Sequence, residues 1–340
     1  MQKSLDRKLA EIRSNANSKA FIIADAKDAD MAFGIRAPGR LRSLGRIIPD
    51  QFPSIQKFYD DMEELVRQAD IDIMLTSVSA MDILAREKGL FQDSPVTPAV
   101  RVNDTTDIWQ ARGSSYAKQL SRPFATTTIE EAQYGTLLPP TSQLPDVNLG
   151  LYSVTFNNDL EADLLTLERF REFRIEATRK GFRYFLEVFN PNVVDCGLDP
   201  QTMPAYVNDQ IARLLAGIPR ASRPEFLKIA YNGPAAMEAL VNYDSTLVVG
   251  ILGGAASTTY DAFRLLADAK KHGARLALFG RRIKAAEHPL SFVKHLRSVA
   301  DEKLSPEEAV EAYRGDLQKL NIPAARDSAS DMNLTTPALL

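Results

Sequence analysis

The sequence predicts a (β/α)8 barrel, an α/β fold in which eight parallel strands form a closed cylinder inside a ring of helices. Short apolar, β-branched runs alternate with longer segments of helical period about eight times over roughly 260 residues. A doubly wound open sheet usually has fewer strands, and no G-x-G-x-x-G motif follows the first run, which disfavours a dinucleotide-binding fold. The candidate strands are residues 19–25, 71–75, 97–102, 149–155, 183–189, 225–231, 246–252 and 274–279.

The segments between these runs predict the helices and the domain organisation. Two of them end at Gly181 and Gly273, immediately before the next strand, as is typical of helix C-caps. Residues 1–18 predict an extra amphipathic helix that packs on the barrel, and residues 19–322 predict a single barrel domain. The small, polar residues 323–340 predict a mobile tail.

The composition is that of an ordinary globular protein. The chain has 340 residues, 45% hydrophobic and 25% charged, with a net charge of −3, so nothing indicates a nucleic acid or membrane partner. A single cysteine, Cys196, excludes an internal disulfide and suits a reducing compartment. No apolar run reaches the ~20 residues of a membrane span, and the N-terminus lacks a signal peptide's apolar stretch. We therefore expect a cytoplasmic protein.

Lys228 is the first candidate catalytic residue, because it lies within an apolar predicted strand, EFLKIAYNG. A buried ammonium is costly unless it is paired or loses its proton, and the neutral amine is the nucleophile of Schiff-base enzymes. A lysine with an ordinary pKa is neutral at pH 7 in about one molecule in a few thousand, whereas a pKa of ~7 would free roughly half. The alternative is a strand-end lysine whose amine reaches solvent.

Alternation along the strands extends the site to two carboxylates. In such barrels the chemistry lies at the C-terminal strand ends, and inward positions alternate along each strand. If Lys228 and Glu187 both point inward, they lie on neighbouring strands whose backbones are ~4.8 Å apart. Asp25, at the end of the first strand, would line the same mouth. The opposite orientation stays open, because parallel strands are buried on both faces.

Glycines after the last two strands predict an anion site. Gly253 and Gly254 end the seventh strand before a helix begins, and Gly280 and Arg281 follow the eighth. Glycine lets the backbone approach a ligand, a helix start offers free N–H groups, and this barrel often binds phosphate at these two strand ends. The alternatives are a tight turn with a serine N-cap and a solvated arginine pair.

The segments FLKIAYNG and VVGILGGAASTTYDAFRLLADAKKHGARLALFGRRI, with the spacing between them, resemble the Schiff-base (class I) aldolases of TIM-barrel type. This group contains the archaeal-type fructose-bisphosphate aldolases and tagatose-bisphosphate aldolase. The resemblance is strongest from Gly181 to about Leu296. It implies that Lys228 is the Schiff-base lysine and that Asp25 is the strand-one acid that helps to position substrate. The residues that it implies for the phosphate-binding turns are Gly253, Gly254, Gly280 and Arg281.

The chain departs from the fructose-bisphosphate enzymes at the end of the fifth strand. They are expected to carry a Trp-x-Tyr-Pro-Arg-like stretch there, with tyrosine as acid/base, whereas this chain has Glu187-Val188-Phe189 and no phenol. A glutamate at this place resembles the tagatose-type branch and makes Glu187 the acid/base candidate. The first strand also has Asp25-Ala26-Lys27 in place of Asp-His-Gly or Asp-Gln-Arg.

The function expected from the resemblance is that of an aldehyde-lyase of carbohydrate metabolism, which makes or breaks a C–C bond in a phosphorylated ketose. It would need no metal or other cofactor and would form a homo-oligomer. One alternative is a metal-dependent aldolase or lyase, although the three histidines fall on or beside the last helices. Another is a sugar-phosphate-binding barrel without catalysis. Glu187 could also be an ion-pair partner that keeps a structural Lys228 charged, and Asp25 a turn residue.

Overall fold

Eight parallel strands form a closed barrel in the computed structural model, which describes residues 2–43, 46–193, 196–254 and 257–340. Each strand pairs with the next in sequence, and the last pairs with the first, so the predicted (β/α)8 barrel is confirmed. The strands are β1 (Ile22–Lys27), β2 (Ile73–Thr76), β3 (Thr97–Arg101), β4 (Gly150–Thr155), β5 (Tyr184–Phe189), β6 (Leu227–Ile229), β7 (Val249–Leu252) and β8 (Leu276–Phe279).

Helices surround the barrel. They are α1 (Ser4–Ser14), α2 (Ala29–Phe33), α3 (Ile55–Gln68), α4 (Val78–Met81), α5 (Ile129–Tyr134), α6 (Leu160–Arg179), α7 (Met203–Ala216), α8 (Pro234–Tyr243), α9 (Thr259–Lys271), α10 (Arg281–Ala285), α11 (Pro289–Ala300), α12 (Pro306–Lys319) and α13 (Ser328–Asp331). Residues Asp82–Glu87 continue α4 as a π-helix. Within the described ranges, no helix is both long and apolar enough to cross a membrane.

Alternate strand residues fill the barrel interior, and α1 closes its N-terminal end. Leu5 and Leu9 of α1 are buried in the same apolar cluster as the inward strand residues. The backbone N–H of Ser4 donates to the carbonyl of Pro95, just before β3, at 2.9 Å. The other buried residues of this inner cluster lie in the strands or directly before them: Ile22, Ala24, Ile73, Leu75, Ala99, Leu149, Leu151, Phe185, Phe226, Val248, Leu276 and Leu278.

The inner cluster fixes which strand residues reach the C-terminal mouth of the barrel. Phe185 and Phe226 stack inside the barrel with ring centroids 4.5 Å apart. Two residues further along the chain, Glu187 and Lys228 therefore point inward as well, and they are register partners of β5 and β6. On the other side, Gly250 of β7 pairs with Lys228. A Cβ on Gly250 would lie 2.1 Å from Cγ of Leu276, so this strand position requires glycine.

The C-terminal segment is docked against the N-terminus of α9. The buried carboxylate of Asp331 accepts a hydrogen bond from the backbone N–H of Thr259 at 2.8 Å. The hydroxyl of Thr258 donates to the carbonyl of Asn333 at 2.8 Å, and the backbone N–H of Thr335 donates to Asp261 at 2.9 Å. The segment predicted to be a mobile tail is thus held by several hydrogen bonds, and its mobility stays a prediction.

Candidate active site

Lys228 and Glu187 form an ion pair at the C-terminal mouth of the barrel. The Nζ of Lys228 lies 2.5 Å from Oε1 of Glu187. Their side chains are only 7% and 2% exposed, so water screens the pair poorly. The structure therefore brings together the two residues that the sequence places on neighbouring inner faces, and their catalytic roles stay predictions.

The second oxygen of Glu187 has two other partners. Nη2 of Arg101 lies 3.1 Å from Oε2, and the hydroxyl of Ser153 donates to the same oxygen at 2.7 Å. Burial alone would raise the pKa of Glu187, but the charges of Lys228 and Arg101 outweigh burial and hold its pKa below the ordinary value. Glu187 is therefore a carboxylate at neutral pH.

Arg101 joins Glu187 to a further carboxylate on the other side of the mouth. Its Nε donates to Asp28, which follows β1 and is mostly buried. Burial disfavours ionisation of Asp28, but Arg101 and Lys228 together lower its pKa. Burial also disfavours the charge of Arg101, but Asp28 and Glu187 raise its pKa above the ordinary value. Asp28, Arg101, Glu187 and Lys228 thus form a row of alternating charges, here called the ionic chain.

The prediction that Asp25 lines the mouth is wrong. Its neighbours Ala24 and Ala26 pack with the inner cluster, so the alternation of β1 turns Asp25 outward, toward the helices. There it lies 3.3 Å from Nζ of Lys27, and both side chains are almost fully buried. Burial raises the pKa of Asp25 to about 6, against the opposing charge of Lys27. Asp28, three residues later, supplies the carboxylate at the mouth.

The predicted phosphate turns lie after β7 and β8, as expected from the sequence. A Cβ on Gly253 would lie 2.3 Å from the ring of Phe279, and Gly254 has a positive φ of 65°. A Cβ on Gly280 would lie 2.3 Å from the carbonyl oxygen of Ala26. Both turns therefore require glycine for steric reasons alone, and their role in phosphate binding stays a prediction. Residues 255 and 256 of the first turn lie outside the described residues.

The two arginines after β8 point to different places. Arg281 is exposed, and its charge interacts with that of Glu187. Arg282 is buried; its Nε donates to the carbonyl of Thr258 at 3.2 Å and its Nη2 to the hydroxyl of Thr259 at 2.6 Å. The solvated arginine pair considered from the sequence is therefore not formed. Arg282 instead ties α10 to the start of α9, where Thr258, rather than a serine, is the N-cap.

A segment of the β3–β4 connection spans the mouth. Two-residue strands, Asp104–Thr105 and Pro123–Phe124, form the antiparallel base of this segment, here called the mouth excursion (residues 104–124). Its Gln110 N–H donates to the carbonyl of Ala32 after β1, at 2.8 Å. Asn192, after β5, donates to the carbonyl of Gln119 at 2.7 Å. The excursion thus links loops from opposite sides of the barrel above the ionic chain.

The histidines and the surface clefts lie away from the ionic chain. His272 contacts Glu238 on α8, His288 caps α11, and His295 contacts Asp316 on α12. In the ranges that the structure describes, no three His, Cys, Asp or Glu side chains are grouped so as to hold a metal ion. A cleft of about 680 Å³ lies near the N-terminal end, beside residues 16–19, and one of about 450 Å³ lies between the mouth excursion and α6. Neither cleft is lined by Lys228 or Glu187. We therefore identify the candidate site from the contacts of the ionic chain and not from either cleft.

Two residues of the ionic chain were missed from the sequence. Arg101 carries the same signal as Lys228, a cation inside an apolar strand (TPAVRV), and that signal could have identified it. Asp28 has no comparable signal, because it lies in the polar stretch DAKDAD just where β1 ends.

Several solved structures share this fold. No family model and no curated protein matches the chain. The crystal structure of an archaeal fructose 1,6-bisphosphate aldolase is 16% identical, with a TM-score of 0.59 over 88% of this chain and 100% of that one. A second archaeal aldolase, with its catalytic lysine covalently bound to a carbinolamine intermediate, is 18% identical, with the same TM-score and the same coverage of both chains. Fructose-bisphosphate aldolase from Slackia heliotrinireducens is 12% identical, with a TM-score of 0.63 over 91% of each chain. The protein therefore has the barrel fold of these fructose-bisphosphate aldolases.

Proposed function

We propose that this protein is a class I aldolase that makes or breaks a C–C bond in a phosphorylated ketose through an imine on Lys228. The observation that carries the proposal is the contact of 2.5 Å between Lys228 and Glu187, held inside the barrel at its C-terminal end. Chemistry in this fold takes place at that end. The shared fold with aldolases, one of which has its catalytic lysine bound to a carbinolamine, supports the same reading.

The proposed reaction begins with the amine of Lys228. Glu187 is ionised in the resting site and can accept a proton from the ammonium, which frees the nucleophile. The amine attacks the ketose carbonyl to give a carbinolamine, and Glu187 returns a proton to the departing hydroxyl so that water leaves. The product is a protonated imine, which withdraws electrons from the adjacent carbon.

Cleavage then needs a base at the hydroxyl beyond the scissile bond. Glu187, a carboxylate again, takes that proton; the C–C electron pair moves into the enamine and an aldehyde leaves. The enamine carbon is reprotonated, and water hydrolyses the imine to release the second product and restore the amine. Every proton taken in one step is returned in a later one, so no oxidant or reductant is required.

In this proposal the phosphate of the substrate binds at the turns after β7 and β8. Gly253, Gly254 and Gly280 bring backbone close to the mouth, and Arg281 supplies an exposed positive charge there. The N–H of Thr259 is already bonded to Asp331, so we expect the earlier part of the turn to provide the donors. As the resemblance implies, we also propose a cytoplasmic homo-oligomer, for which sedimentation velocity provides the test of assembly.

A second candidate is a barrel that binds a sugar phosphate without catalysis. The same ion pair favours it, because a buried lysine paired with a carboxylate that also accepts from Arg101 and Ser153 could be a purely structural cation. A metal-dependent aldolase has no comparable group of ligands in the described part of the chain. The class I aldolase and the binding barrel differ in whether Lys228 becomes covalently attached to the substrate.

Borohydride trapping tests the proposal. The protein is incubated with each of a panel of phosphorylated ketoses and reduced, and the adduct is located by peptide mass. We expect an adduct on Lys228 whose mass identifies the substrate. Lys8→Met is the matched control for Lys228→Met. Lys8 is a partly buried, ion-paired lysine at the N-terminal end of the barrel, and its partner Asp72 keeps a second counter-ion, Arg297, in the variant. Saturable binding without an adduct would instead support the binding barrel, and turnover abolished by a chelator would support a metal enzyme.

A further inference from the structure

Arg101 is a buried arginine whose donors all point into the mouth of the barrel. It is the last residue of β3 and lies almost completely out of water. Its Nε donates to Asp28, its Nη1 donates to the hydroxyl of Ser153 at 2.7 Å, and its Nη2 donates to Glu187 at 3.1 Å. With all three nitrogens engaged by protein groups, Arg101 is not arranged to bind the phosphate of a substrate.

These contacts determine the direction of the Ser153 hydroxyl. A guanidinium can only donate, so the oxygen of Ser153 accepts from Arg101 and its single proton goes to Oε2 of Glu187, at 2.7 Å. The backbone of Ser153 is fixed as well: its N–H donates to Oδ1 of Asn103 at 2.6 Å, and the amide of Asn103 donates back to its carbonyl at 2.9 Å. Oε2 of Glu187 is therefore held by two donors of defined position.

We propose that Arg101 is a positioning residue that, together with Ser153, holds one oxygen of Glu187 and so reserves the other for proton transfer with Lys228 and the substrate. This inference rests on the proposed aldolase function and extends it to a residue that does not touch the reacting atoms. Oε1 of Glu187 faces Lys228, at 2.5 Å. A carboxylate held in this way cannot rotate to exchange its two oxygens during the reaction.

The charges around Glu187 give this role a pH signature. Glu187 faces Lys228 from β6, Arg101 from β3 and the charge of Arg281 from α10, while Ser153 on β4 is neutral. Asp28 and Asp104 face Arg101 and partly offset its charge. Arg101 lowers the pKa of Glu187, so its removal raises that pKa, and the carboxylate is then lost at a higher pH. The acidic limb of the rate profile should move upward.

Two substitutions separate charge from geometry. Arg101→Gln removes the charge and most donors; we expect kcat to fall by about 10²-fold, KM to stay within about twofold, and the acidic limb to move to higher pH. Arg101→Lys keeps a charge, but an ammonium cannot reach Asp28, Ser153 and Glu187 at once. Its acidic limb should stay close to that of the wild type, while kcat remains reduced because Oε2 has lost its defined donors.

Arg297→Gln is the matched control. Arg297 is a mostly buried arginine on α11 that pairs with Asp72 at 2.6 Å, at the N-terminal end of the barrel. Its loss should lower the melting temperature without moving the acidic limb. If Arg101→Gln does not fold, Ser153→Ala removes one donor to Oε2 without removing a charge, and it should lower kcat several-fold at unchanged KM.

The readouts distinguish failure of this inference from failure of the proposed function. Borohydride trapping is run on every variant, and an adduct on Lys228 in the wild type establishes the aldolase chemistry. If that adduct forms but Arg101→Gln leaves the acidic limb in place, the positioning role is overturned. A rise in KM with kcat intact would overturn it too, because Arg101 would then bind the substrate. Without an adduct in the wild type, the proposed function fails and this inference fails with it.

Discussion

Glu187→Gln removes the proton-accepting group of the ionic chain while keeping its shape. The amide oxygen of glutamine can still accept from Arg101 and Ser153, which now hold Oε2. The amine of Lys228 remains at the same strand position, opposite residue 187. The substitution therefore slows imine formation, in which Glu187 moves protons, but the imine can still accumulate, whereas C–C cleavage needs a base at the substrate hydroxyl.

The expected magnitude follows from the loss of one positioned base. General base catalysis contributes about 10²–10⁴-fold, which corresponds to about 2.7–5.4 kcal/mol of activation free energy at 1.36 kcal/mol for each tenfold. Because the side-chain oxygen of residue 187 keeps its two donors, Arg101 and Ser153, we expect the cleavage rate to fall by about 10³-fold, near the middle of this range. Folding stability should also fall, by about 3 kcal/mol, because Lys228 loses a buried counter-ion.

The assay is a single-turnover reaction with the ketose phosphate found by trapping. Aldehyde release gives the cleavage rate, and borohydride reduction at successive times gives the amount of imine. Glu225→Gln is the control, since Glu225 is also a paired glutamate, 2.8 Å from Arg13 and 2.9 Å from Arg183, but lies at the N-terminal end of β6. Unchanged aldehyde release in Glu187→Gln, with the adduct still forming on Lys228, would refute the assignment of Glu187 as base.

Three further predictions concern Lys228, Asp25 and the C-terminal segment. Lys228→Met should abolish the trapped adduct while near-ultraviolet circular dichroism stays that of the wild type; an adduct that persists would place the imine elsewhere. Asp25 has its pKa raised to about 6 by burial, so its contribution to stability is present below the unfolded value and is lost as pH rises through 6. Between pH 4 and pH 8, the free energy of unfolding measured with a chemical denaturant should fall by up to about 3 kcal/mol because of this group. Asp25→Asn should abolish that part of the pH dependence. The same pH dependence in the wild type and in Asp25→Asn would contradict the prediction. Truncation after residue 323 removes the hydrogen bonds that Thr259 donates to Asp331 and that Thr335 donates to Asp261, which hold the start of α9 beside the proposed phosphate turn. The turn is then less well positioned, and we expect KM for the phosphorylated substrate to rise roughly tenfold, about 1.4 kcal/mol, at unchanged kcat. A fall in kcat alone would show that the segment acts on the chemistry instead.

The sequence was sufficient to predict the contact of Lys228 and Glu187, because a bulky residue two positions before each of them shows which face of the strand is inside the barrel. Phe226 and Phe185 are bulky residues that fill the barrel, and twofold alternation then places the two charged residues on the same face. The first strand has no bulky residue that shows which of its faces is inside. Its Ile23 packs outside and its Ala24 inside, and both are fully buried, so nothing in the pattern separates the faces and Asp25 was placed wrongly.

The rest of the ionic chain depends on closure of the barrel. Arg101 and Asp28 are 73 residues apart and belong to β3 and the end of β1, which are not neighbours in the sheet. Their contact spans the strand β2 that lies between them, and the order of the strands in the sheet brings them within reach. The C-terminal segment shows the same limit, because its composition predicts mobility, whereas its docking depends on hydrogen bonds with the start of α9, where Asp261 accepts from Thr335 and Thr259 donates to Asp331.

Because Leu5 and Leu9 of α1 pack into the N-terminal end of the barrel, the interior of the barrel opens at its C-terminal end. Beneath Lys228 lie stacked aromatic rings and aliphatic side chains, so solvent approaches the amine from above, where the mouth excursion lies. In the proposed reaction, the water that hydrolyses the imine on Lys228 would therefore arrive from the side of residues 104–124. Residues 104–124 would then influence the lifetime of that imine, and hence the time available for recapture of the departing aldehyde, in addition to Lys228 and Glu187 themselves.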